Sequence, residues 1–248
     1  MREWVIGRNP VYEVIRAKRR HIFRLMVAQG IQEKGRMEEI IRSCQEIRVP
    51  LEQVPRHRLD SLGSGNQGVA LEVSAYPYCD LQDILVAVER HSEHGLLLIL
   101  DVLQDPQNFG VLMRTAECVG VHGVLLPLRQ TATVTPAVVS ASSGACEHLM
   151  ITQVNLAQAI ARLKESGLWI VGLESGLPGG SMEKLRLDAP LALVVGSEGK
   201  GMRSLIRDTC DELMHLPMRG KIESLNASVA GSIALYLIWQ ARGFNQAG

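Results

Sequence analysis

The chain of 248 residues contains no uninterrupted apolar run of the length that a membrane-spanning helix requires, about 18 residues. Its first stretch, MREWVIGRNPVYEVIRAKRR, also lacks the long apolar core that is typical of a signal peptide. These absences argue against a membrane protein or a secreted one. We therefore expect a globular protein that works in the cytoplasm and has no membrane partner.

Cysteine pairs with the CxxC spacing of a redox or zinc motif are absent as well. The five cysteines are scattered along the chain, at Cys44, Cys79, Cys118, Cys146 and Cys210. Such scattered thiols are typical of a reducing compartment and do not form the framework of a disulfide-rich domain. The seven histidines are isolated, and we assign none of them to a metal.

Net charge is zero, but the charge is unevenly distributed. Residues 1–75 contain 13 lysines and arginines against 9 acidic residues, whereas residues 76–248 contain 13 against 17. This imbalance favours a nucleic-acid-attracting surface in the N-terminal part. A solvated face of lysine and arginine explains the same counts equally well.

Two regions differ in their pattern of apolar residues. Residues 1–75 alternate short strands and helices, which predicts a compact αβα module with a helix from Asn9 to Lys18 and a second helix over 33–46. Strands are expected there at 22–28 and 68–74. Residues 76–93 are interpreted as a linker, and the rest of the chain, 94–248, as a second domain.

The second domain alternates apolar runs with helical stretches, which predicts an α/β fold with a parallel sheet. Its expected strands are 96–101, 123–127, 148–154, 168–173, 191–196 and 212–217. A helix is expected over 201–209. No internal repeat and no low-complexity tract interrupts this pattern.

Three of the expected strands run into loops rich in Gly, Ser, Glu and Asn that precede a helix. Such loops expose backbone N–H groups beside a helix N-terminus, where a polar cofactor can bind. One loop, GSEGKG at 196–201, is neither the GxGxxG dinucleotide fingerprint nor a Walker A loop, which argues against a nucleotide-dependent Rossmann enzyme. The others are DPQNFGVLMR at 105–114 and LPMRGKIESLNASVA at 216–230.

Each polar residue in these loops also has a structural interpretation. Ser224 is interpreted as a helix N-cap and Asn108 as the possible cap of its own helix. Asn226, expected one turn inside a helix, is harder to explain because asparagine disfavours helix interiors. Glu198 either caps a helix, holds Arg114 or contacts a ribose. Arg114 lies among apolar positions, where an arginine either extends its charge to solvent or is functional.

Taken together, these residues resemble the three motifs of the SpoU (TrmH) class of the knotted SPOUT RNA methyltransferases. The first motif is matched by Asp105, Pro106, Asn108, Gly110, Arg114, Thr115 and Ala116. The second is matched by Gly196, Ser197, Glu198, Gly199 and Gly201. The third is matched by Pro217, Met218, Ser224, Leu225, Asn226, Ser228 and Ala230.

The resemblance covers the whole chain. It implies an L30e-like RNA substrate-binding domain over 1–75, followed by a methyltransferase domain over 94–248 in which the chain forms a deep trefoil knot. It further implies S-adenosyl-L-methionine as the cofactor, no metal, and a homodimer through the knot domain. The nearest subgroup methylates the ribose 2′-hydroxyl of a guanosine in 23S-type ribosomal RNA.

The resemblance also implies roles for single residues. The catalytic set that we expect is Arg114, Asn108, Glu198, Ser224 and Asn226. The cofactor-binding set that we expect is Gly196, Gly199, Leu216, Met218, Ser224, Leu225 and Asn226. Because a guanidinium keeps its proton, Arg114 is interpreted as a ligand for the RNA phosphate and the developing 2′-oxyanion rather than as a base.

Two further points concern packing and substrate. The small residues from Ser142 to Ala145 are interpreted as allowing close packing of two chains or of two elements. Asn66 stands where the family commonly carries a histidine, which bears on RNA contacts of the N-terminal module. Two alternatives to methylation of a guanosine in 23S-type RNA remain. One is a tRNA or resistance-type ribosomal RNA 2′-O-methyltransferase, and the other is a non-catalytic RNA-binding assembly factor.

Overall fold

The computed structural model describes residues 2–90, 94–175 and 185–244. The chain forms two compact units. The first unit contains Met1–Pro77 together with Thr133–His148, and the second contains Tyr78–Ala132 and Leu149–Gly248. The first unit therefore includes a segment from the middle of the methyltransferase domain that the sequence predicts.

The described elements are numbered here in chain order. The strands are β1 (Arg2–Ile6), β2 (Ile22–Ala28), β3 (Leu51–Val54), β4 (Val69–Ser74), β5 (Leu96–Leu100), β6 (Gly123–Pro127), β7 (Ile151–Val154), β8 (Trp169–Leu173), β9 (Leu191–Val195) and β10 (Glu212–Met214). The helices are α1 (Arg8–Ala17), α2 (Arg36–Glu46), α3 (Arg56–Asp60), α4 (Leu81–Arg90), α5 (Pro106–Cys118), α6 (Pro136–Ala141), α7 (Leu156–Glu165), α8 (Ser204–Arg207) and α9 (Ala227–Ala241). A 3₁₀ turn covers Ala145–His148.

The first unit is built on a four-stranded sheet in the order β1-β4-β2-β3. Strands β1 and β2 are antiparallel to β4, and β3 is parallel to β2. Helix α1 packs against α2 through apolar positions at helical spacing, among them Val11, Val14, Met37, Ile40 and Cys44. The sequence pattern predicted β2, β4 and both helices but missed the short strands β1 and β3.

Residues 133–148 are fixed to the rest of the first unit by a buried ion pair. The fully buried side chain of Arg20 donates to both carboxylate oxygens of Glu147, from Nη2 at 2.7 Å and from Nε at 3.0 Å. Nearby, a Cβ atom on Gly144 would lie 2.6 Å from Cβ of Glu13. The close packing expected at the small residues 142–145 is therefore observed at Gly144.

Asn66 has a structural role within the first unit. The side chain is buried, and its Nδ2 donates to Oδ1 of Asp60 at 2.9 Å and to the Gly63 carbonyl at 3.2 Å. Its Oδ1 accepts from the Gly68 N–H at 2.9 Å. The residue that departs from the family pattern therefore holds the loop before β4.

The second unit is built on a six-stranded sheet in the order β10-β8-β9-β5-β6-β7, and every adjacent pair is parallel. All five residues of each of the strands β5, β6 and β9 are buried. Continuous apolar runs are typical of parallel strands covered on both faces. The α/β fold with a parallel sheet is confirmed, and each expected strand is present with ends that differ by a few residues.

Two expectations for the second unit were wrong. The stretch 76–93, interpreted as a linker, contains α4, whose Leu81, Ile84 and Leu85 are buried in the core of this unit. The helix expected over 201–209 is reduced to α8. The reason is that Arg203 is extended, with φ −62° and ψ 143°, and its N–H donates to the Asp101 side chain instead of continuing a helix.

Helices α5 and α9 pack closely against each other. A Cβ atom on Gly231 of α9 would lie 2.7 Å from Cδ2 of Leu112 on α5, so a larger residue there would require the Leu112 side chain to move. The hydroxyls of Thr115 and Ser232 are 2.9 Å apart across the same interface. This packing brings the first turns of both helices to the loop that follows β9.

Candidate functional site

A cavity of about 510 Å³ lies at the carboxyl ends of β8 and β9 in the second unit. Its walls come from 173–175, 195–202, 216, 218, 224–227 and 230. Ligands of open α/β sheets bind in crevices at the carboxyl ends of the strands, and the volume is that of a small-molecule site. The cavity is therefore the candidate binding site.

The loop after β9 folds back on itself to form one wall of this cavity. Ser197 and Gly201 exchange two backbone hydrogen bonds of 3.0 Å each. A Cβ atom on Gly196 would lie 2.2 Å from the carbonyl carbon of Gly201, so this turn requires glycine at position 196. Gly199 has a positive φ of 75° and open space where a side chain would be, which leaves its backbone accessible.

Glu198, at the tip of this loop, joins three segments of the chain. Its Oε1 accepts a hydrogen bond of 3.0 Å from Nδ2 of Asn226, which precedes α9, and another from Nδ2 of Asn108 on α5. The buried Ser228 hydroxyl lies 2.9 Å from Oδ1 of Asn108 and 2.7 Å from Oδ1 of Asn226. These four side chains form one hydrogen-bonded network beside the cavity.

The helix caps differ from the sequence interpretation. Asn226 is the N-cap of α9, because its Oδ1 accepts from the N–H groups of Ser228 at 2.9 Å and Val229 at 3.3 Å. The interpretations of Ser224 as the N-cap and of Asn226 as a residue inside the helix were therefore wrong. Ser224 instead lines the cavity from the loop before the helix. The unfavourable helix propensity of asparagine was the signal for this cap.

Asp105, rather than Asn108, is the N-cap of α5. Its carboxylate accepts from the N–H groups of Gln107 and Asn108, both at 3.2 Å. Hydrogen bonding, first from the Asn108 side chain and then from the Gln107 N–H, lowers the pKa of Asp105 below its ordinary value. Asn108 therefore interacts with both the cap of its own helix and Glu198.

Arg114 is exposed on α5 and lies outside the lining of the cavity. Six residues separate it from Asn108, which corresponds to a rotation of about 120° around the helix axis. The two residues therefore occupy different faces of α5. The network that includes Glu198 unites Asn108 and Asn226 from the predicted catalytic set, whereas Arg114 lies apart from it on another face of α5.

The seven residues expected to bind the cofactor all line the cavity. Leu216 is buried, Met218 is half-buried and Leu225 is 39% exposed, so together they present an apolar wall. Gly196 and Gly199 form the facing loop, and Ser224 and Asn226 contribute polar atoms. An apolar wall opposite an accessible backbone fits the two faces of a purine nucleoside.

The sequence interpretation gave no role to Ser228, although this residue belongs to the third motif. Its hydroxyl connects the two asparagines, and only its position two residues after the cap indicated such a function. Within the described ranges 2–90, 94–175 and 185–244, no group of three or more His, Cys, Asp or Glu side chains is placed to hold a metal. No helix in those same ranges is long and apolar enough to cross a membrane.

A parallel α/β sheet with a cavity and a Glu–Asn network at its carboxyl edge is the arrangement in which α/β proteins bind small ligands. The sequence model of the SpoU rRNA Methylase family matches residues 95–236. A second model, described as RNA 2′-O ribose methyltransferase substrate binding, matches residues 4–79. The chain belongs to the SpoU (TrmH) family of RNA methyltransferases.

Individual relatives extend over nearly the whole chain. The YacO protein of Bacillus subtilis strain 168, which is assigned to the TrmH family of tRNA/rRNA methyltransferases, is 40% identical over 242 residues, covering 97% of this chain and 96% of YacO. The AdoMet complex of the SpoU methyltransferase AviRb from Streptomyces viridochromogenes has a TM-score of 0.81 at 22% identity, covering 98% of this chain and 92% of AviRb.

A third similar protein is the AdoMet-bound rRNA methyltransferase from Sinorhizobium meliloti. Its structure has a TM-score of 0.78 at 20% identity and covers 96% of this chain and 87% of that protein. At such identities the two structures establish the shared fold. They agree with the α/β architecture derived above for the second unit and extend the likeness over the first.

Proposed function

We propose that the protein methylates a ribose 2′-hydroxyl of RNA with S-adenosyl-L-methionine as the methyl donor. The observation that carries this proposal is the network in which Glu198 accepts from Asn108 and Asn226 at the edge of the cavity. It unites one residue from each of the three family motifs. The substrate that we propose is a guanosine in 23S-type ribosomal RNA.

The cavity fits the cofactor on the chemistry of its walls. Leu216, Met218 and Leu225 provide apolar contact for an adenosine, while the backbone at Gly199 is open to a polar ligand. When bound, S-adenosyl-L-methionine supplies a methyl group on a positively charged sulfonium sulfur. Glu198 lines the same cavity, and its carboxylate would favour a bound cation there.

The side chains around the cavity have separable roles in this proposal. Asn108 and Asn226 hold the Glu198 carboxylate, and Asn226 also fixes the start of α9. Arg114 binds an RNA phosphate and stabilises the charge that develops on the 2′-oxygen, because its guanidinium remains protonated. The proton of the hydroxyl passes to water or to a phosphate oxygen.

The first unit is proposed to recognise the RNA. Residues 1–75 have the excess of positive charge, and phosphate contacts from lysine and arginine supply most non-specific affinity for nucleic acid. The match of residues 4–79 to the substrate-binding model supports this role. The substrate specificity of the enzyme would then be determined outside the unit that contains the cavity.

The active form is proposed to be a homodimer formed through the second unit, in which the chain is knotted. Helix α9 is apolar on all sides, yet Val229, Ile233 and Tyr236 remain 40–47% exposed. A helix of this composition is normally buried on every face. Val111 on the adjoining α5 is 42% exposed as well, and a second copy of the chain would cover both helices.

Two measurements test the proposed function. Calorimetry in the presence of a chelator should detect binding of S-adenosylhomocysteine, and binding of NAD or ATP in its place would refute the proposal. Mapping of 2′-O-methyl groups in RNA from cells with and without the gene should then identify one missing methyl group in 23S-type ribosomal RNA.

A tRNA 2′-O-methyltransferase is the second candidate, because the relatives in Bacillus subtilis and related bacteria are described as acting on tRNA or rRNA. The same mapping experiment discriminates the two candidates, since the missing methyl group would then lie in a tRNA. A resistance-type ribosomal RNA methyltransferase would modify a ribosomal site that cells without such a gene leave unmethylated. The missing methyl group would then lie in ribosomal RNA at that site. If no RNA loses a methyl group, a non-catalytic assembly factor becomes the better explanation.

A further inference from the structure

Asp101 is a fully buried carboxylate that follows β5, and the roles proposed above do not use it. Its Oδ1 accepts from Nε of Arg203 at 2.8 Å and from Nη2 at 2.6 Å. Its Oδ2 accepts from the backbone N–H of the same residue at 2.8 Å. A buried charge is costly unless it is paired and hydrogen-bonded, and Arg203 meets both conditions here.

Asp101 is connected to both ends of the loop 196–202, which lines the cavity. Because the proposed function assigns this loop to S-adenosyl-L-methionine, it is called the cofactor loop below. Its own N–H donates to the carbonyl of Val195, the last residue of β9, at 2.8 Å. The cavity-lining loop starts directly after Val195 and ends directly before Arg203. The residue directly after β5 therefore holds the chain where the loop leaves the sheet and where it returns.

The backbone next to Asp101 adopts an unusual conformation. Val102 has a φ of 63°, in the left-handed region that β-branched residues rarely adopt. The following residue, Leu103, accepts hydrogen bonds through its carbonyl from Ala132 N–H at 2.7 Å and Thr131 Oγ1 at 3.1 Å. Strain of this kind persists only where surrounding contacts impose it, and it is concentrated at functional sites.

We propose that Asp101 and Arg203 are positioning residues for methyl transfer. They set the loop 196–202 so that Glu198 reaches the amides of Asn108 and Asn226. Neither residue needs to touch the RNA or the reacting atoms. This inference rests on the proposed function, because it assigns the loop to the cofactor, and it adds two residues that the sequence motifs do not include.

The pair would act by restricting the loop before the cofactor arrives. Ser197 and Gly201 close the loop at its base, and Glu198 attaches its tip to α5 and α9. The Asp101–Arg203 contact orients this closed loop relative to the sheet. A loop that is already oriented loses less conformational entropy when it binds a ligand. Loss of the Asp101–Arg203 contact should therefore weaken cofactor binding and misalign the site.

The test compares Asp101→Asn, Arg203→Lys and Arg203→Ala with the full-length protein. Arg203→Lys keeps the charge but removes the forked contact. Because Arg203→Ala leaves the buried Asp101 carboxylate without its guanidinium, the double variant Asp101→Asn/Arg203→Ala, which removes that charge, is measured beside it. The matched control is Lys164→Ala, because Lys164 forms a 2.7 Å ion pair with Asp211 and is 37% exposed. Asp211 precedes β10, so that pair lies at the opposite end of the strands.

Two quantities are measured for each folded variant: calorimetric affinity for S-adenosylhomocysteine and the single-turnover rate on RNA at saturating cofactor. We expect affinity to fall by about tenfold and the rate by up to about a hundredfold for Asp101→Asn and Arg203→Ala, as for a site displaced by about 1 Å. Arg203→Lys should fall between these variants and the wild type. The double variant should be no worse than either single one, because the two residues act as a pair.

Three outcomes would overturn the inference. One is a lower melting temperature with unchanged affinity and rate, which assigns the pair to stability alone. Another is a loss of RNA affinity with a smaller salt dependence and unchanged cofactor affinity, which makes Arg203 a phosphate ligand. The third is an equal effect of Lys164→Ala. If the wild-type protein itself does not bind S-adenosylhomocysteine, the proposed function fails together with the inference.

Discussion

Asn226 donates a 3.0 Å hydrogen bond from its side-chain amide to Oε1 of Glu198, across 28 residues of sequence. The same oxygen accepts from Asn108. A single carboxylate oxygen therefore aligns the cofactor loop with the starts of two helices. Glu198 therefore has two properties that can be tested separately, its ability to accept both hydrogen bonds and its negative charge.

Substitutions at Glu198 should distinguish these two properties. Glu198→Gln can keep both hydrogen bonds, because both donors meet the oxygen that a glutamine also has. We expect this variant to retain most of its single-turnover rate and Glu198→Ala to lose about a hundredfold, as for a misaligned site. If glutamine is as damaging as alanine, the charge of Glu198 rather than its geometry is what the reaction requires.

Asn226→Asp should separate helix capping from catalysis. Aspartate caps as well as asparagine, so the melting temperature should change little. The variant loses its donor to Glu198, and the new carboxylate faces an existing one, so methylation should decrease strongly. Asn226→Ala provides the comparison, since loss of the cap should cost about 1 kcal/mol of stability. A fully active aspartate variant would contradict the role of the amide.

Arg114→Ala tests the residue that lies apart from the network. Because Arg114 is exposed, the fold should tolerate the change, and affinity for S-adenosylhomocysteine should not fall. The transition state should lose about 3 kcal/mol, as for removal of an oxyanion donor. Arg114→Lys should not restore the rate if the phosphate contact is bidentate.

The control for that experiment is Arg162→Ala, another arginine of the second unit. Its Nη2 donates to Oε1 of Gln82 at 2.8 Å in an exposed contact. We expect its rate to match that of the wild type. Near-normal turnover of the Arg114 variant, or an equal loss in both variants, would refute a specific role for Arg114.

The strands of the two units show how much of the fold the sequence pattern predicted. Strand β6 was predicted with its observed ends, because a continuous run of buried apolar residues identifies a central parallel strand without knowledge of its neighbours. Strands β1 and β3 were missed because they are short and show neither a continuous apolar run nor a clear alternation, and they are stabilised by partners distant in sequence. Tertiary pairing outweighs local pattern in such edge strands.

For the candidate site, the sequence predicted which residues line the cavity. All seven residues expected to bind the cofactor line the candidate cavity, since their motifs follow strands whose ends must meet at one edge of a parallel sheet. Their hydrogen bonds were not predictable. Ser224 and Asn226 are both good caps, and only the path of the chain decides which one begins α9. Asp101 was missed because nothing in its local sequence indicates a partner 102 residues away.

Val102→Gly should stabilise the protein although it removes a side chain. The left-handed conformation costs an L-residue about 1–2 kcal/mol, and glycine offsets part of the gain through about 0.5–1 kcal/mol of backbone entropy. We expect a net gain of about 0.5–1 kcal/mol, visible as a rise in melting temperature of about 2 °C. The control is Gly120→Ala. Gly120 has a φ of 74° and open surroundings, so this change adds the strain of a left-handed L-residue without a steric clash.

Gly120→Ala should lower the free energy of unfolding by about 1 kcal/mol. If both variants destabilise the protein, the packing of the Val102 side chain outweighs its strain. The same Val102→Gly protein also has a functional readout. A glycine would loosen the backbone beside Asp101, so a lower affinity for S-adenosylhomocysteine in a more stable protein would indicate that the strain serves the cofactor loop.

The buried ion pair between Arg20 and Glu147 should contribute strongly to the stability of the first unit. Arg20→Ala leaves the Glu147 carboxylate buried without its guanidinium, which should cost about 3–5 kcal/mol of stability. Arg36→Ala is the control, because its ion pair with Glu39 is 40% exposed on both sides and should contribute at most about 1 kcal/mol. Chemical denaturation of both variants measures the difference.

A fragment that starts at His94 retains all three motifs but lacks Arg20. Residues 133–148, which pack with the first unit in the whole chain, would then expose apolar surface and leave Glu147 unpaired. We therefore expect the fragment to bind S-adenosylhomocysteine but to unfold at a lower temperature than the full chain, because the apolar surface that packs with the first unit is exposed to water. Its RNA affinity should be weak, with a flatter salt dependence, because the phosphate contacts of the first unit are gone. Full RNA affinity and full site selectivity in the fragment would show that residues 1–75 do not recognise the substrate. A fragment as stable as the full chain would show that the Arg20–Glu147 pair contributes little to stability.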